Sequence, residues 1–294
     1  MNRRMFLRAT AAGALSAALQ SPIWPGPIGS PKPPPPPEAE PVNSTLVVCA
    51  HEDDDTLAMG ATIRAEQAAG KKVYVLMCTD GEATGAIGWL NGTGVNSWVG
   101  YQHDPAAEAY QTLAGTGLPL TTDDIKAARR AEFERAARTL LVAEVRYLSL
   151  PDGGVQAADV QAGIEAYAAD IVAANGGLVD VKAHTWVNTS GGVVVEDHPD
   201  HLAVGAAAKA VATSAPSWLH SVRYFIVWGL HGSTFPGLTV ARVNVSGADA
   251  GRVVMARRCY GDWAPEVGRY AIGDHSVHAA LAALEADPHS LYHS

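Results

Sequence analysis

The chain has 294 residues and a mass of 30.7 kDa, enough for one large domain or two small ones. Hydrophobic residues make up 48% and charged residues 17%, too apolar for a disordered chain and sufficient for a sizeable core. The net charge is −9, and an acidic body offers no basic face to a nucleic acid.

The chain begins with Arg3, Arg4, Phe6, Leu7 and Arg8, followed by the small apolar stretch Ala9 to Leu19. This pattern predicts a secretory signal of the twin-arginine type over residues 1–20, and hence an exported, secreted or extracytoplasmic protein. Residues 21–43 are rich in proline and end in the run Pro33 to Pro37 and its acidic tail. Such a run favours extended polyproline II and reads as a linker. Residues 44–294 are then a single domain. No further apolar run reaches the length of a membrane span, so the mature chain is expected to have none.

Ser44 to Ala50 is continuously apolar and predicts a strand buried on both faces. His51-Glu52-Asp53-Asp54-Asp55 follows at once, then a helical stretch from Thr56 to Gly70 and a second buried strand from Lys72 to Thr79. Strand, helix and strand at this spacing make a βαβ unit with a parallel sheet. Cys49 and Cys78 lie in these strands as buried thiols or, if the strands are neighbours, as one bridge; three cysteines exclude a disulfide scaffold. A glycine-rich loop carrying Trp89, Trp98 and Tyr101 reads as a lid whose aromatic rings stack on substrate.

Helices are expected over Pro105 to Leu113 and Thr121 to Leu141, a strand over Val145 to Leu150, and a helix over Gln156 to Ala174. Then come a strand from Val179 to Val187 and a helix from His198 to Thr213. Strands at Val222 to Trp228 and Leu238 to Val245, and helices at Ala248 to Cys259 and Val277 to Glu285, complete the chain. Trp186, Trp218 and Trp228 read as core. His275, His278, His289 and His293 read as a solvated tail, and His184 and His231 have no identifiable partner. The alternation predicts an α/β fold, Rossmann-like, with a mostly parallel sheet flanked by helices and a less regular C-terminal part.

His51, Asp53 and Asp54 stand just past the first strand, where ligands bind in open parallel sheets. Three consecutive acids beside a histidine repel one another unless solvated or neutralised by a cation. His198-Pro199-Asp200-His201 lies far downstream at a helix start, its two histidines close enough to share a face. Imidazole and carboxylate are suitable zinc ligands, and a catalytic zinc keeps one position open for water.

Together, Ala50-His51-Glu52-Asp53-Asp54-Asp55 and the His-Pro-Asp-His motif resemble the LmbE/PIG-L family of zinc-dependent N-acetylglucosamine deacetylases. Thr79-Asp80-Gly81-Glu82, Arg129-x-x-Glu132 and Pro151-Asp152-Gly153 strengthen the resemblance, which spans roughly residues 44 to 215. It implies one Zn2+ held by His51, Asp54 and His201, with Asp53 as general base toward the metal-bound water. It also implies that His198 steadies the oxyanion, that Asp200 orients His198, and that Arg129 and Asp152 hold the substrate, to which the loop reading adds Trp89 and Trp98 as substrate-binding residues. Glu52 stands where the family has proline, and Asp55 where it has glutamate. The exported, alanine-rich form with this acidic variant looks like the deacetylases of glycopeptide antibiotic pseudoaglycones. A mycothiol-precursor type or other small N-acetylglucosamine conjugate is the alternative substrate. A sugar-binding relative without activity and a hydrolase of another bond are the readings from other classes.

Overall fold

The computed structural model describes residues 42–95, 100–227 and 234–294, all within the unit Glu40–Ser294. The expected signal, the linker up to residue 41, Trp98, Trp228 and His231 lie outside the described residues; Val42 and Asn43, expected at the end of the linker, instead begin the first strand. Seven strands form the main sheet: β1 (Val42–Cys49), β2 (Lys72–Thr79), β3 (Glu144–Leu150), β4 (Gly176–His184), β5 (Leu219–Phe225), β6 (Ala241–Asn244) and β7 (His289–His293). Their order is β6-β7-β5-β4-β1-β2-β3. The five strands from β3 to β5 are parallel, while β7 joins β5 and β6 antiparallel. The fold is therefore α/β with a mostly parallel sheet, and strand order reverses between β1 and β4. That reversal opens a crevice beyond the carboxyl ends of those two strands.

Helices cover both faces. Leu46 and Val48 of β1 pack toward α5 (Ala157–Asn175) and α6 (Pro199–Ser214), against Val160, Ile164 and Val204. Val47 and Cys49 point the other way. They face α2 (Gly60–Ala68), α4 (Thr122–Thr139), α7 (Gly247–Arg258) and α8 (Ile272–Ala286), through Ile63, Phe133, Val253 and Leu281. Burial on both faces explains why the first strands are apolar without alternation. The same pleat settles the cysteines. Cys49 is registered with Met77, so neighbouring Cys78 projects to the opposite face, and both are free, buried thiols.

Several expectations need correction. Residues 105–113 are not a helix: turns lead to a short hairpin, Gln111–Thr112 with Gly115–Thr116. The helix expected from Thr56 is broken into α1 (Asp54–Leu57) and α2, with Ala58 and Met59 between them. The C-terminal histidines are not a solvated tail. His289 and His293 are buried in β7, which fills the sheet between β5 and β6, and His275 is buried in α8. Trp186 is not core; the residue is 39% exposed and carries the Lys209 ammonium 3.1 Å above its ring centre. Among the described residues no helix is long and apolar enough to cross a membrane.

Candidate metal centre

The crevice at the strand reversal receives three segments. The turn after β1 delivers His51 to Asp55, the end of β4 delivers His184, and the start of α6 delivers His198, Asp200 and His201. Pro199 occupies the first position of α6, where its missing N–H costs nothing, and His198 caps the helix by accepting the Asp200 N–H on Nδ1 at 3.3 Å. A cavity of about 180 Å³ opens over these residues. Its walls include His51, Asp53, Asp54, Arg129, Asp152, His198 and His201, with Leu57, Val227 and Val277 as apolar lining.

Hydrogen bonding fixes which nitrogen of each ring faces the centre. His51 Nε2 lies 3.3 Å from Asp152 Oδ1 and 3.4 Å from Asp200 Oδ2, so it carries the proton and donates. His201 Nδ1 lies 2.9 Å from Glu196 Oε2 and is likewise the donor. His51 Nδ1 and His201 Nε2 are left as lone pairs facing each other at 3.1 Å. The Asp54 carboxylate spans the third side with its two oxygens, Oδ1 3.3 Å from His201 Nε2 and Oδ2 3.5 Å from His51 Nδ1. Three lone pairs converging this closely repel unless a proton or a cation stands among them. Separations of about 3.3 Å are also the edges of a tetrahedron whose centre lies about 2.0–2.1 Å from each corner, the usual bond length from zinc to nitrogen or oxygen. The residues present therefore fit a small divalent cation.

The protonation balance agrees. Burial lowers the affinity of His51 for a proton, but bonds from Asp152, Asp200 and Asp54 outweigh it and raise its pKa well above the usual value. Burial acts likewise on His201, yet the Asp54 charge and Glu196 lift it to about 9. Asp54 is buried, but the charges of His201 and His184 hold its pKa far below the ordinary range. The surrounding carboxylates thus favour a cation at the two rings, and a metal would displace protons from them.

Asp53 lines the cavity and accepts from Arg129 Nη2 at 3.4 Å. Arg129 is buried and also donates through Nε to Glu52 at 3.1 Å, so both its partners are carboxylates. The Asp200 carboxylate turns to His51 and to the backbone N–H groups of Gly153 and Val155, at 2.7 and 3.1 Å; only its own N–H meets His198. Contrary to expectation it orients His51, because α6 starts with that side chain directed at the turn after β3. Asp152 is drawn into the same clasp on His51 and accepts the Ala83 N–H at 2.9 Å. Trp89 lies on α3 (Ala86–Leu90), 36% exposed and outside the cavity lining.

Both departures from the family pattern have structural partners. Glu52 pairs with Arg129, and Asp55 accepts the Tyr260 hydroxyl at 2.8 Å, tying α1 to the C-terminal part. Sequence reasoning missed two residues. Glu196 is fully buried five positions before His201; an acid so close to the motif was the available signal. His184 is fully buried between Asp54 and His201, and its place at the end of an apolar strand gave no sign of it.

A family model described as GlcNAc-PI de-N-acetylase (PIG-L) matches residues 46–212. The chain belongs to the PIG-L/LmbE family. The matched stretch contains His51, Asp53, Asp54, Arg129, Asp152, His198 and His201, whereas α7, α8, β6 and β7 lie beyond it. A curated relative, 1D-myo-inositol 2-acetamido-2-deoxy-alpha-D-glucopyranoside deacetylase from Rhodococcus erythropolis, is 30% identical over 185 residues, 58% of this chain. The chain spans 54% of that relative's length. Among solved structures, an antimicrobial pseudoaglycone deacetylase has 18% identity and a TM-score of 0.52, covering 85% of this chain and 96% of its own. A conserved protein from Thermus thermophilus has 17% identity and a TM-score of 0.50, covering 85% and 94%. At such identities these two speak for the fold alone.

Proposed function

We propose that this PIG-L/LmbE protein is a metal-dependent deacetylase that hydrolyses the acetamide of an N-acetylglucosamine conjugate. The observation that carries the reading is the convergence of His51 Nδ1 and His201 Nε2, 3.1 Å apart, with the Asp54 carboxylate 3.3–3.5 Å from them, on a cavity that Asp53 also lines. His51, Asp54 and His201 are the ligands in this proposal, and zinc is the ion their nitrogen and oxygen set suits. When bound, such an ion supplies Lewis acidity, bringing the pKa of a water toward neutrality and polarising a carbonyl.

The chain's own groups do the rest. Asp53 accepts a proton from the attacking water and returns it to the leaving nitrogen, so that water and amide become acetate and amine. Arg129 holds Asp53 in place. His198 accepts a backbone N–H on Nδ1, so its Nε2 carries the proton and donates to the oxygen on which negative charge develops. Asp152 and Asp200 fix the tautomer of His51, and Glu196 fixes that of His201.

Two substrate types share the N-acetylglucosamine unit. One is a glycopeptide antibiotic pseudoaglycone, the type the exported variant motif resembles. The other is a small inositol conjugate of the kind named for the curated relative at 30% identity. The test is acetate release from a panel of N-acetylglucosaminyl conjugates, bulky aromatic and small polar, with and without chelator. Release that stops with chelator and returns with zinc supports the reading, and no release from any member overturns it. Export through the Arg3-Arg4 signal belongs to the same proposal and is tested by fractionating cells that express the Arg3→Lys/Arg4→Lys chain.

A further inference from the structure

His184 ends β4 with no exposed surface. Its Nε2 lies 3.1 Å from Asp54 Oδ2, and its ring stacks on His201 with centroids 4.0 Å apart and planes inclined by 13°. One imidazole therefore touches two of the three proposed ligands, which come from different segments of chain. Asp54 Oδ2 also accepts the His51 N–H at 2.7 Å. Oδ2 is thus bonded to the His51 backbone and packed against His184, and Oδ1 is the oxygen left facing His201.

Two observations separate this from ordinary packing. The Nδ1 of His184 is buried with no hydrogen-bond partner. A buried polar atom without a partner is costly filler for space that Leu or Phe would occupy. Both polar neighbours of the ring are at Nε2, which accepts the Ala50 N–H at 3.2 Å and lies 3.1 Å from Asp54 Oδ2. The second observation concerns direction. A metal lies close to the plane of an imidazole that ligates it. Two rings stacked almost parallel at 4.0 Å cannot both hold one ion in plane, whereas the rings of His51 and His201 are inclined by 50° and can converge.

We propose that His184 is a positioning residue for the metal centre: its Nε2 accepts the Ala50 N–H and so fixes the start of the turn that carries His51 and Asp54, and its stacked face fixes the ring of His201. This rests on the ligand set proposed above. Buried partners of ligands set metal affinity through the ligands' orientation.

The test uses the full chain, Co(II) as probe, and competition with a chromophoric chelator. The wild type binds one Co(II) per chain, and His201→Ala loses it. His184→Phe keeps an aromatic stack but cannot accept the Ala50 N–H; it still takes one Co(II) at saturation, with affinity weaker by about 10–100-fold. His184→Gln, whose amide oxygen can accept the Ala50 N–H, recovers most of that loss. If His184→Phe is unfolded by circular dichroism, His184→Leu replaces it with the same expectation. Affinity unchanged in the apolar variant overturns the proposal, as does His184→Gln no better than the apolar variant, which would mark a packing role. A folded apolar variant that binds no Co(II) at saturation overturns it too, making His184 a ligand. A wild type that binds no Co(II), or a His201→Ala chain that binds it normally, brings down the ligand set itself and is thereby distinguishable.

Discussion

Gly205 lies against the backbone of Thr185: a Cβ on it would stand 2.5 Å from the Thr185 carbonyl carbon and 2.6 Å from its oxygen. Gly205 is one helical turn beyond His201, on the same face of α6, and Thr185 directly follows His184. The bare glycine is what lets α6 come close enough to the end of β4 for the two histidine rings to stack. Because the obstructing atoms are backbone, a methyl group cannot be accommodated by a side-chain rotation. Gly205→Ala is expected to cost about 1–3 kcal/mol by overpacking and to lower metal affinity as α6 is pushed outward. Thermal melting and metal content after dialysis check both.

Much of the centre was legible because its chemistry sits in two contiguous motifs. Asp53, Asp54 and His51 follow a strand that reads clearly as buried, and Pro199 announces the helix that carries His201. What stayed hidden depends on contacts between distant segments. His184 looks like one more residue of an apolar strand until α6 is laid across it. The partner of Asp200 could not be chosen from spacing, since local proximity favours His198 while the packed helix turns the carboxylate to His51. The C-terminal histidines resemble a solvated tail because nothing local tells a short edge segment from one inserted between β5 and β6. Proline at 105 and alanines after it suggested a helix, but the two-residue pairing of Gln111–Thr112 with Gly115–Thr116 prevailed there.

Asp53→Asn separates binding from catalysis. The amide cannot accept a proton from water, but it keeps the size of the side chain and an oxygen for Arg129 Nη2. Acetate release is expected to fall by about 10²–10⁴-fold, with the metal content of the wild type retained. Activity that survives would move the role of base to another group, and metal lost with it would make Asp53 part of the ligand set.

Arg129→Lys tests the clasp on Asp53. The guanidinium reaches Glu52 through Nε and Asp53 through Nη2 from one rigid plane, and a lysine ammonium is a single point that cannot reproduce both directions. Glu52 is 1% exposed and would be left a poorly compensated buried carboxylate. Burial already pushes its pKa up to about 7, against the pull of Arg129. The variant is expected to lose about 10-fold or more in kcat and to melt earlier, while Co(II) stoichiometry stays at the wild-type value. Steady-state kinetics beside melting curves would show whether positioning or stability dominates.

Away from the cavity, Asp180 gives the clearest pH dependence. It is 2% exposed in β4 and accepts from Lys71 Nζ at 2.6 Å, from Ser221 Oγ and from His220 Nδ1 at 3.0 Å. Burial alone would raise its pKa, but Lys71, Ser221, Lys182 and His220 outweigh it and bring it well below the ordinary aspartate value. A carboxyl whose folded pKa lies below its unfolded value, about 3.9, contributes stability above that unfolded value and loses it as pH falls through the folded one. Glu66, bound to Lys71 at 2.6 Å, is shifted in the same direction and adds to the effect. The wild type is therefore expected to lose melting temperature steadily below about pH 4. Asp180→Asn leaves Lys71 and Lys182 short of a counter-charge, so it should cost about 3 kcal/mol or more at neutral pH and flatten the acid limb. Melting curves from about pH 7 down to about pH 2 on both chains decide it; parallel acid limbs would mean that the protection comes from other carboxylates.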